Sequence, residues 1–342
     1  MSAAAFEPDR LRVGRELVGL SQSQLASRAD LSPAAISQFE SGATRPSPET
    51  ITELSAALQM PRNFFSRPLA ETHDGFFRAL RRTNVTDRRR ARAVAHIAHD
   101  LANAAAAAGK FPDLDIPTLR VTDLNATRAS IESVAQEVRG YWGLPRGPLS
   151  DIVQLLESRG VVVIRLPLDS ADVDAFSLPF PDHPVVVLGS DKADRARSRF
   201  DGAHELGHLV MHGEQIWGMK EVETQAHQFA AAFLMPANDI REQLPTTVDW
   251  QQLFALKQQW QVSLAALLMR ARVLGRMNER TYLTAVKTIS ARGWRRQEPV
   301  PLGDPEQPEF LARFLATARS REVRSYLPAK VVDSISAANG IA

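Results

Sequence analysis

The sequence predicts a multidomain chain: an all-α N-terminal domain, then an α+β domain with a small sheet and a helical C-terminal region. Three observations carry this. The first 66 residues fall into short amphipathic segments, each opened by a capping residue. Two β-branched runs, "VVVIRL" (161–166) and "PVVVL" (184–188), sit among helical segments. Between these regions, "GKFPDLDIPTL" breaks a long alanine- and arginine-rich stretch and places a boundary near residue 115.

Composition sets the outer limits. A chain of 342 residues with 44% hydrophobic and 23% charged residues can bury a sizeable core in more than one domain. No run of apolar residues is long enough to span a bilayer, and "MSAAAFEPDR" lacks the basic and apolar regions of a signal peptide. A cytoplasmic location without membrane attachment is therefore expected. The chain has no cysteine, which excludes disulfides and thiolate metal sites, so a bound zinc must rest on histidine and carboxylate. Net charge is only +2, yet Arg78, Arg81, Arg82, Arg88, Arg89, Arg90 and Arg92 are opposed locally by Asp87 alone. Such a run is a solvated helix face or a phosphate contact.

In order, "PDRLRVGRELVG" has helical apolar spacing, and "SQSQLASRAD" follows with Ser21 as N-cap. Ser32 and Pro33 open the next helix, which Gly42 ends, and Ser47 opens a fourth with Ile51, Leu54 and Leu58 on one face. Residues 67–85, with "DGFFRALRR", form a connector. Thr86 to Ala108, free of glycine and proline, reads as one long helix. "ASIESVAQEVRGYW" and "GPLSDIVQLLESRG" are amphipathic helices, and Asp172–Ser177 is a third strand between the two β-branched runs. Helices follow from about Ala193 to His212 and from about Val222 to Met235. "WQQLFALKQQW" and "SLAALLMRARVLG" form a helix pair with a tight turn near Val262, and the tail after Trp294 is proline-rich, then weakly helical. These features divide the chain at 1–66, 67–115, 116–245, 246–290 and 291–342.

The chemistry concentrates in "AHELGHLVMHG". Residues four apart share a helix face, so His204 and His208 can bind one ion, and Glu205 lies where it can take a proton from water. A catalytic zinc wants three protein ligands and one open position. Glu223 on the next helix supplies the third, its direction fixed by the apolar face of Ala226, Phe229, Ala230 and Phe233. Two other readings of these residues remain: a helix with solvated histidines, and a metal site kept for structure or sensing.

His204-Glu205-Leu206-Gly207-His208, the Glu223, Ala226, Phe229, Ala230 series and Leu234-Met235-Pro236 together resemble the ImmA/IrrE family of metallopeptidases. "VDAFSLPF", "RSRFDGAHELGHLVMHG" and "WQVSLAALLMRARVLG" extend the resemblance over roughly 120–290. It implies a zincin-like fold, zinc held by His204, His208 and Glu223, and Glu205 as general base in amide hydrolysis. One position departs from the family: His227 stands where Asn or Asp is common. His227 and His212 each fall on a ligand face, with a role beside the ligands or in the transition state, and His227 can also compete as a ligand itself. For His212 the favourable interaction of a histidine with a helix C-terminus competes with any metal role. Arg270 and Tyr282 join them as candidates to stabilise an oxyanion.

Residues 9–66 resemble a helix-turn-helix domain of the Cro/phage-repressor (XRE) type, carried by "LSQSQLASRADLSPAAISQFESG" and "TRPSPETITELSAAL". The resemblance implies that the helix from Pro33 to Glu40 enters the major groove of a double-stranded operator. The expected DNA contacts are Gln22, Ser32, Ala34, Ser37, Gln38 and Arg45, with Gln38 able to read adenine and Ala34 a thymine methyl. Arg15 and Glu40 occupy positions that pair as a buried salt bridge in that family. Together the two resemblances imply a homodimeric DNA-binding regulator whose zinc endopeptidase domain cleaves a repressor, toxin or other partner protein. The alternative is a non-proteolytic regulator or antitoxin using the peptidase-like domain as a sensing module.

Overall fold

The computed structural model describes residues 6–72, 85–168, 174–191, 193–213 and 219–338. The segment "DGFFRALRR", and with it the first half of the arginine run, lies outside the described residues. The N-terminal helices are α1 (Pro8–Leu17), α2 (Gln22–Arg28), α3 (Pro33–Glu40) and α4 (Pro48–Leu58). Then come α5 (Val85–Ala107), α6 (Arg128–Tyr141) and α7 (Ile152–Ser158), and the strands β1 (Val162–Leu166), β2 (Ala175–Leu178) and β3 (Val185–Gly189). Helices α8 (Arg195–Met211), α9 (Lys220–Leu234), α10 (Ala237–Ile240), α11 (Trp250–Trp260), α12 (Leu264–Val273) and α13 (Glu279–Ala291) follow. The last are α14 (Phe310–Leu315), α15 (Ser320–Arg324) and α16 (Ala329–Ala338). Among the described residues no helix is long and apolar enough to cross a membrane.

Local chemistry accounts for the N-terminal helices. The Ser21, Ser32 and Ser47 side chains accept from the backbone N–H groups of Gln24, Ala35 and Thr50, which satisfies donors that a helix start leaves open. Gln24 returns the bond by accepting from Ser21 N at 2.8 Å, closing a capping box. Leu11, Leu25, Ile36 and Leu54 are fully buried at the centre of this region. Glu40 Oε1 and Oε2 accept from Arg15 Nε at 2.6 Å and Nη2 at 2.9 Å, a two-pronged pair that fastens α3 to α1. Arg15 also donates to the Leu20 carbonyl, so its buried charge is well satisfied.

The chain folds into two compact units. One is built from Met1–Asp115, Leu156–Asp191 and Gln307–Ala342, the other from Ile116–Leu155 and Lys192–Glu306. In the first, β3 lies between β1, its parallel partner, and β2, its antiparallel partner, in the order β1-β3-β2. Val162 pairs with Val185 and Ile164 with Val187, and β1 is buried along its whole length. Burial on both faces explains why both runs are nearly continuously apolar rather than alternating, with Arg165 of β1 the exception.

Helix α5 is a core element of this unit. Ala93, Ile97, Leu101 and Ala105 repeat every four residues and are fully buried, and the helix packs on α1, β1, β3, α14, α15 and α16. Arg10 of α1 grips Asp100 of α5 with both terminal nitrogens, while Arg89 and Arg90 stay exposed. Two histidines of α5 are also buried: His99 bonds Asp182 at 2.7 Å and stacks on Phe180, and burial pushes His96 down to about 3.

In the second unit, α9 packs against both α8 and α6. Val222, Ala226, Phe229, Ala230 and Phe233 form its buried face. Position 207 sets how close α8 and α9 come. A Cβ there would lie 2.9 Å from Phe229 Cδ1 and 3.2 Å from Phe229 Cβ, inside any normal contact. The α11–α12 pair buries Leu253, Leu256, Leu264, Leu267 and Leu268, so its apolar surface is consumed by packing.

Two outcomes test this account. Gly207→Ala forces α8 from α9 and should cost about 1–3 kcal/mol, read as a lowered urea midpoint. Glu40→Ala leaves the Arg15 charge buried without its partner and should cost about 3–5 kcal/mol in the stability of the N-terminal region. An unchanged midpoint in either variant would mean that the contact in question carries no stability.

Candidate metal centre

Both helices that build the site are fixed at their working ends. Helix α8 begins with Asp194 accepting from Arg197 N, and its last turn is held by the segment 119–121. Leu119 N donates to the Val210 carbonyl at 3.1 Å and Val121 N to that of Met211 at 2.9 Å. Arg120 Nη1 reaches the carbonyls of Leu209, Val210 and His212 at 2.9, 3.1 and 2.8 Å, a cation on the negative end of the helix dipole. Helix α9 has no side-chain cap but carries Glu221 and Glu223 in its first turn, where the dipole favours negative charge.

With Gly207 facing Phe229, the first turn of α9 comes to the His204–His208 face of α8. His204 Nε2 and His208 Nε2 lie 3.0 Å apart. Glu223 Oε2 lies 3.2 Å from the first and 3.7 Å from the second. Zinc bonds of about 2.0–2.2 Å to nitrogen and oxygen in tetrahedral geometry place neighbouring donor atoms ~3.3 Å apart. The three observed spacings bracket that value, so the donor set fits a small divalent cation. Two histidine nitrogens and one carboxylate oxygen are also the borderline-soft set such an ion takes when no thiolate is present.

Electrostatics prepare the same state. Burial pushes His208 down to about 3, so its imidazole is neutral at physiological pH and keeps a nitrogen lone pair. Burial alone would raise the Glu223 carboxyl, but the His204 and His208 imidazoles beside it hold it below its ordinary value, and it is ionised. Glu205, one position round α8 from His204, is buried.

The remaining expected residues take distinct places. His212 does not join the three converging donor atoms. It caps the end of α8 in an extended conformation, with its ring buried and Nδ1 2.9 Å from His208 Nδ1. Its Nε2 lies 3.0 Å from Gln225 Oε1, and Gln225 Nε2 donates to the carbonyls of Asp123 at 2.9 Å and Leu124 at 3.2 Å. Burial pushes His212 down to about 4. His227 is exposed and donates through Nδ1 to the Glu223 carbonyl at 2.8 Å, with its ring edge-on to His204 at 4.5 Å between centroids. Arg270 is committed to the Met235 carbonyl and Glu132, and Tyr282 lies against the Arg272 guanidinium.

Gln225 and Arg120 are the site neighbours that sequence reading missed. Gln225 falls on the buried face of α9 with Val222, Ala226 and Phe229, and a glutamine there was the available signal. Arg120 had none, because its partners are backbone carbonyls 89 or more positions away.

On the N-terminal side, Ala34, Ser37 and Gln38 are exposed along one face of α3, and Arg45 is exposed beyond it. The Ser32 hydroxyl caps α3, and Gln22 Nε2 donates to Glu40 Oε2 at 2.8 Å, so in this structure its amide rests on the Arg15–Glu40 pair.

Comparison with known proteins agrees with both halves. Residues 11–65 match the family profile described as helix-turn-helix, and residues 156–272 match the peptidase family profile described as IrrE N-terminal-like domain. No curated protein gives a match to the chain. The chain is a fusion of an XRE-type helix-turn-helix with a domain of the ImmA/IrrE peptidase family.

Proposed function

We propose that the chain is a DNA-binding transcriptional regulator whose peptidase-family domain is a zinc-dependent endopeptidase, cleaving a repressor or other partner protein to switch transcription. The observation that carries this reading is the convergence of His204, His208 and Glu223 with Glu205 on the same helix, in a chain that also has a helix-turn-helix. For function we draw the helix-turn-helix at 1–66, the metallopeptidase core at 116–245, its helical extension at 246–290 and the tail at 291–342, while 67–115 connects them in sequence and its helix α5 packs in the core of the first unit.

His204 Nε2, His208 Nε2 and Glu223 Oε2 would hold the ion. Zinc bound there supplies Lewis acidity that makes water a nucleophile near neutral pH. Glu205 accepts the proton as water attacks the scissile carbonyl carbon and delivers it to the amide nitrogen, so that the C–N bond breaks and a neutral amine leaves. His227, exposed beside His204, would donate to the developing oxyanion only when protonated on both ring nitrogens, because its Nδ1 proton is held by the Glu223 carbonyl. His212 supports the site without joining the ligands. A sensing module would not require Glu205, whose presence favours the proteolytic reading over a purely sensory one.

At the other end, Ala34, Ser37 and Gln38 would face the bases of a double-stranded operator, with Ser32, Gln22 and Arg45 near the phosphates. The reading helix carries no lysine or arginine, so affinity is drawn from phosphate contacts and from binding as a homodimer.

Two experiments test the proposal. Co-expressed with candidate repressors, the wild type should release a fragment, whereas Glu205→Gln should bind zinc with unchanged stoichiometry and cleave at least about 100-fold more slowly. Cleavage by the variant at the wild-type rate would remove Glu205 from its role. A zinc-loaded wild type that cleaves no candidate would favour the sensing module. Operator affinity should fall at least about tenfold between 50 and 200 mM salt. A flat response would remove the phosphate contacts.

A further inference from the structure

The metal centre is backed by a chain of buried polar groups that the reaction does not touch, running from His208 through His212 and Gln225 to the backbone at 123–124. Its hydrogen-bond directions can be worked out from one end. Gln225 Nε2 lies 2.9 and 3.2 Å from the carbonyl oxygens of Asp123 and Leu124. Reversing the amide would set its oxygen against two other oxygens, so the nitrogen must face them and Oε1 must face His212. Oε1 only accepts; the bond at 3.0 Å therefore requires a proton on His212 Nε2. An imidazole whose single proton is on Nε2 has a bare Nδ1. The bond of 2.9 Å between the two Nδ1 atoms then requires the proton on His208 Nδ1. His208, with its single proton on Nδ1, has an unprotonated Nε2, the atom that lies 3.0 Å from His204 Nε2 and 3.7 Å from Glu223 Oε2.

We propose that His212 and Gln225 are positioning residues that fix His208 in the Nδ1–H tautomer and aim its Nε2 lone pair at the metal. This rests on the reading of His204, His208 and Glu223 as ligands. A histidine ligand normally needs such a partner on its far nitrogen, which sets both ring rotation and basicity. Here the partner is a second neutral imidazole rather than a carboxylate, so the relay adds no charge to the buried site. The anchor is the same backbone segment whose residues 119–121 hold the last turn of α8. Backbone and ring of the His208 region are thus referenced to one strip of chain. His204 has no equivalent: its Nδ1 is buried without a hydrogen-bond partner among the described residues. The relay therefore makes His208 the fixed ligand around which the other two are arranged.

The test uses the full chain and zinc itself. With [15N]histidine labelling, the metal-free protein should show His208 as the Nδ1–H tautomer and His212 as the Nε2–H tautomer, signals assigned by single replacement. The opposite tautomer at His208 would overturn the proposal. In competition with a colorimetric chelator, His212→Phe and Gln225→Leu should each weaken zinc binding by about 10–100-fold. His212→Gln, whose amide can accept from His208 and donate to Gln225, should stay within a few-fold of wild type. A role in folding alone would lower the thermal midpoint of the metal-free variants and leave the affinity of their folded fraction unchanged, which would overturn the proposal. So would a His212→Gln variant as weak as His212→Phe. His204→Ala separates the two levels of the argument. If it binds zinc as tightly as wild type, the ligand assignment fails; if it loses zinc while His212→Phe keeps full affinity, the relay alone fails.

Discussion

A hydrogen atom in place of a methyl group at position 207 lets the two helices of the candidate metal centre approach. Helices of ordinary composition pack with their axes about 8–10 Å apart, and the side chains at the crossing decide where in that range they settle. At Gly207 the ring of Phe229 occupies the space a Cβ would fill, and Ala226 and Ala230 keep the rest of the α9 face low. Only then does a glutamate in the first turn of α9 reach the two imidazoles of α8. The spacing of the donor atoms on α8 and α9 depends on this close approach.

The parts of the structure that rest on short sequence separation could be read directly. Ser21, Ser32 and Ser47 each cap a helix whose first turn follows them, and a capping bond involves residues three apart. His204 and His208 meet because a helix brings every fourth residue to one side. Continuous β-branched runs marked β1 and β3, while β2 was less sharply drawn: among the described residues it begins at Ala175. Glu223 required one further step, from the apolar face of its helix to the direction of its polar side.

What resisted reading depends on distant partners. Arg199, one helical turn and a little more before His204, is wholly buried against Glu306, which also accepts from the backbone of Ile152 and Val153. Nothing local to either residue announces that pairing. Helix α5 posed a related difficulty. Its alanine-rich face has the same appearance in an exposed connector and in a core helix, because alanine is small enough for close packing and also the best helix former in isolation. Packing, with Ile97 and Leu101 at its centre, decided the matter in favour of the core.

That role of α5 has a consequence for the order in which the protein can mature. The sheet strands that cover α5 are made after it, and α14 and α16, which complete its surroundings, come later still, beyond the helices that carry the histidine pair. The part of α5 that α14 and α16 cover therefore has those partners more than half of the chain further on. The second unit, whose segments lie between these pieces, can close first. The helix-turn-helix thus precedes, along the chain, the segments that complete the core it leans on.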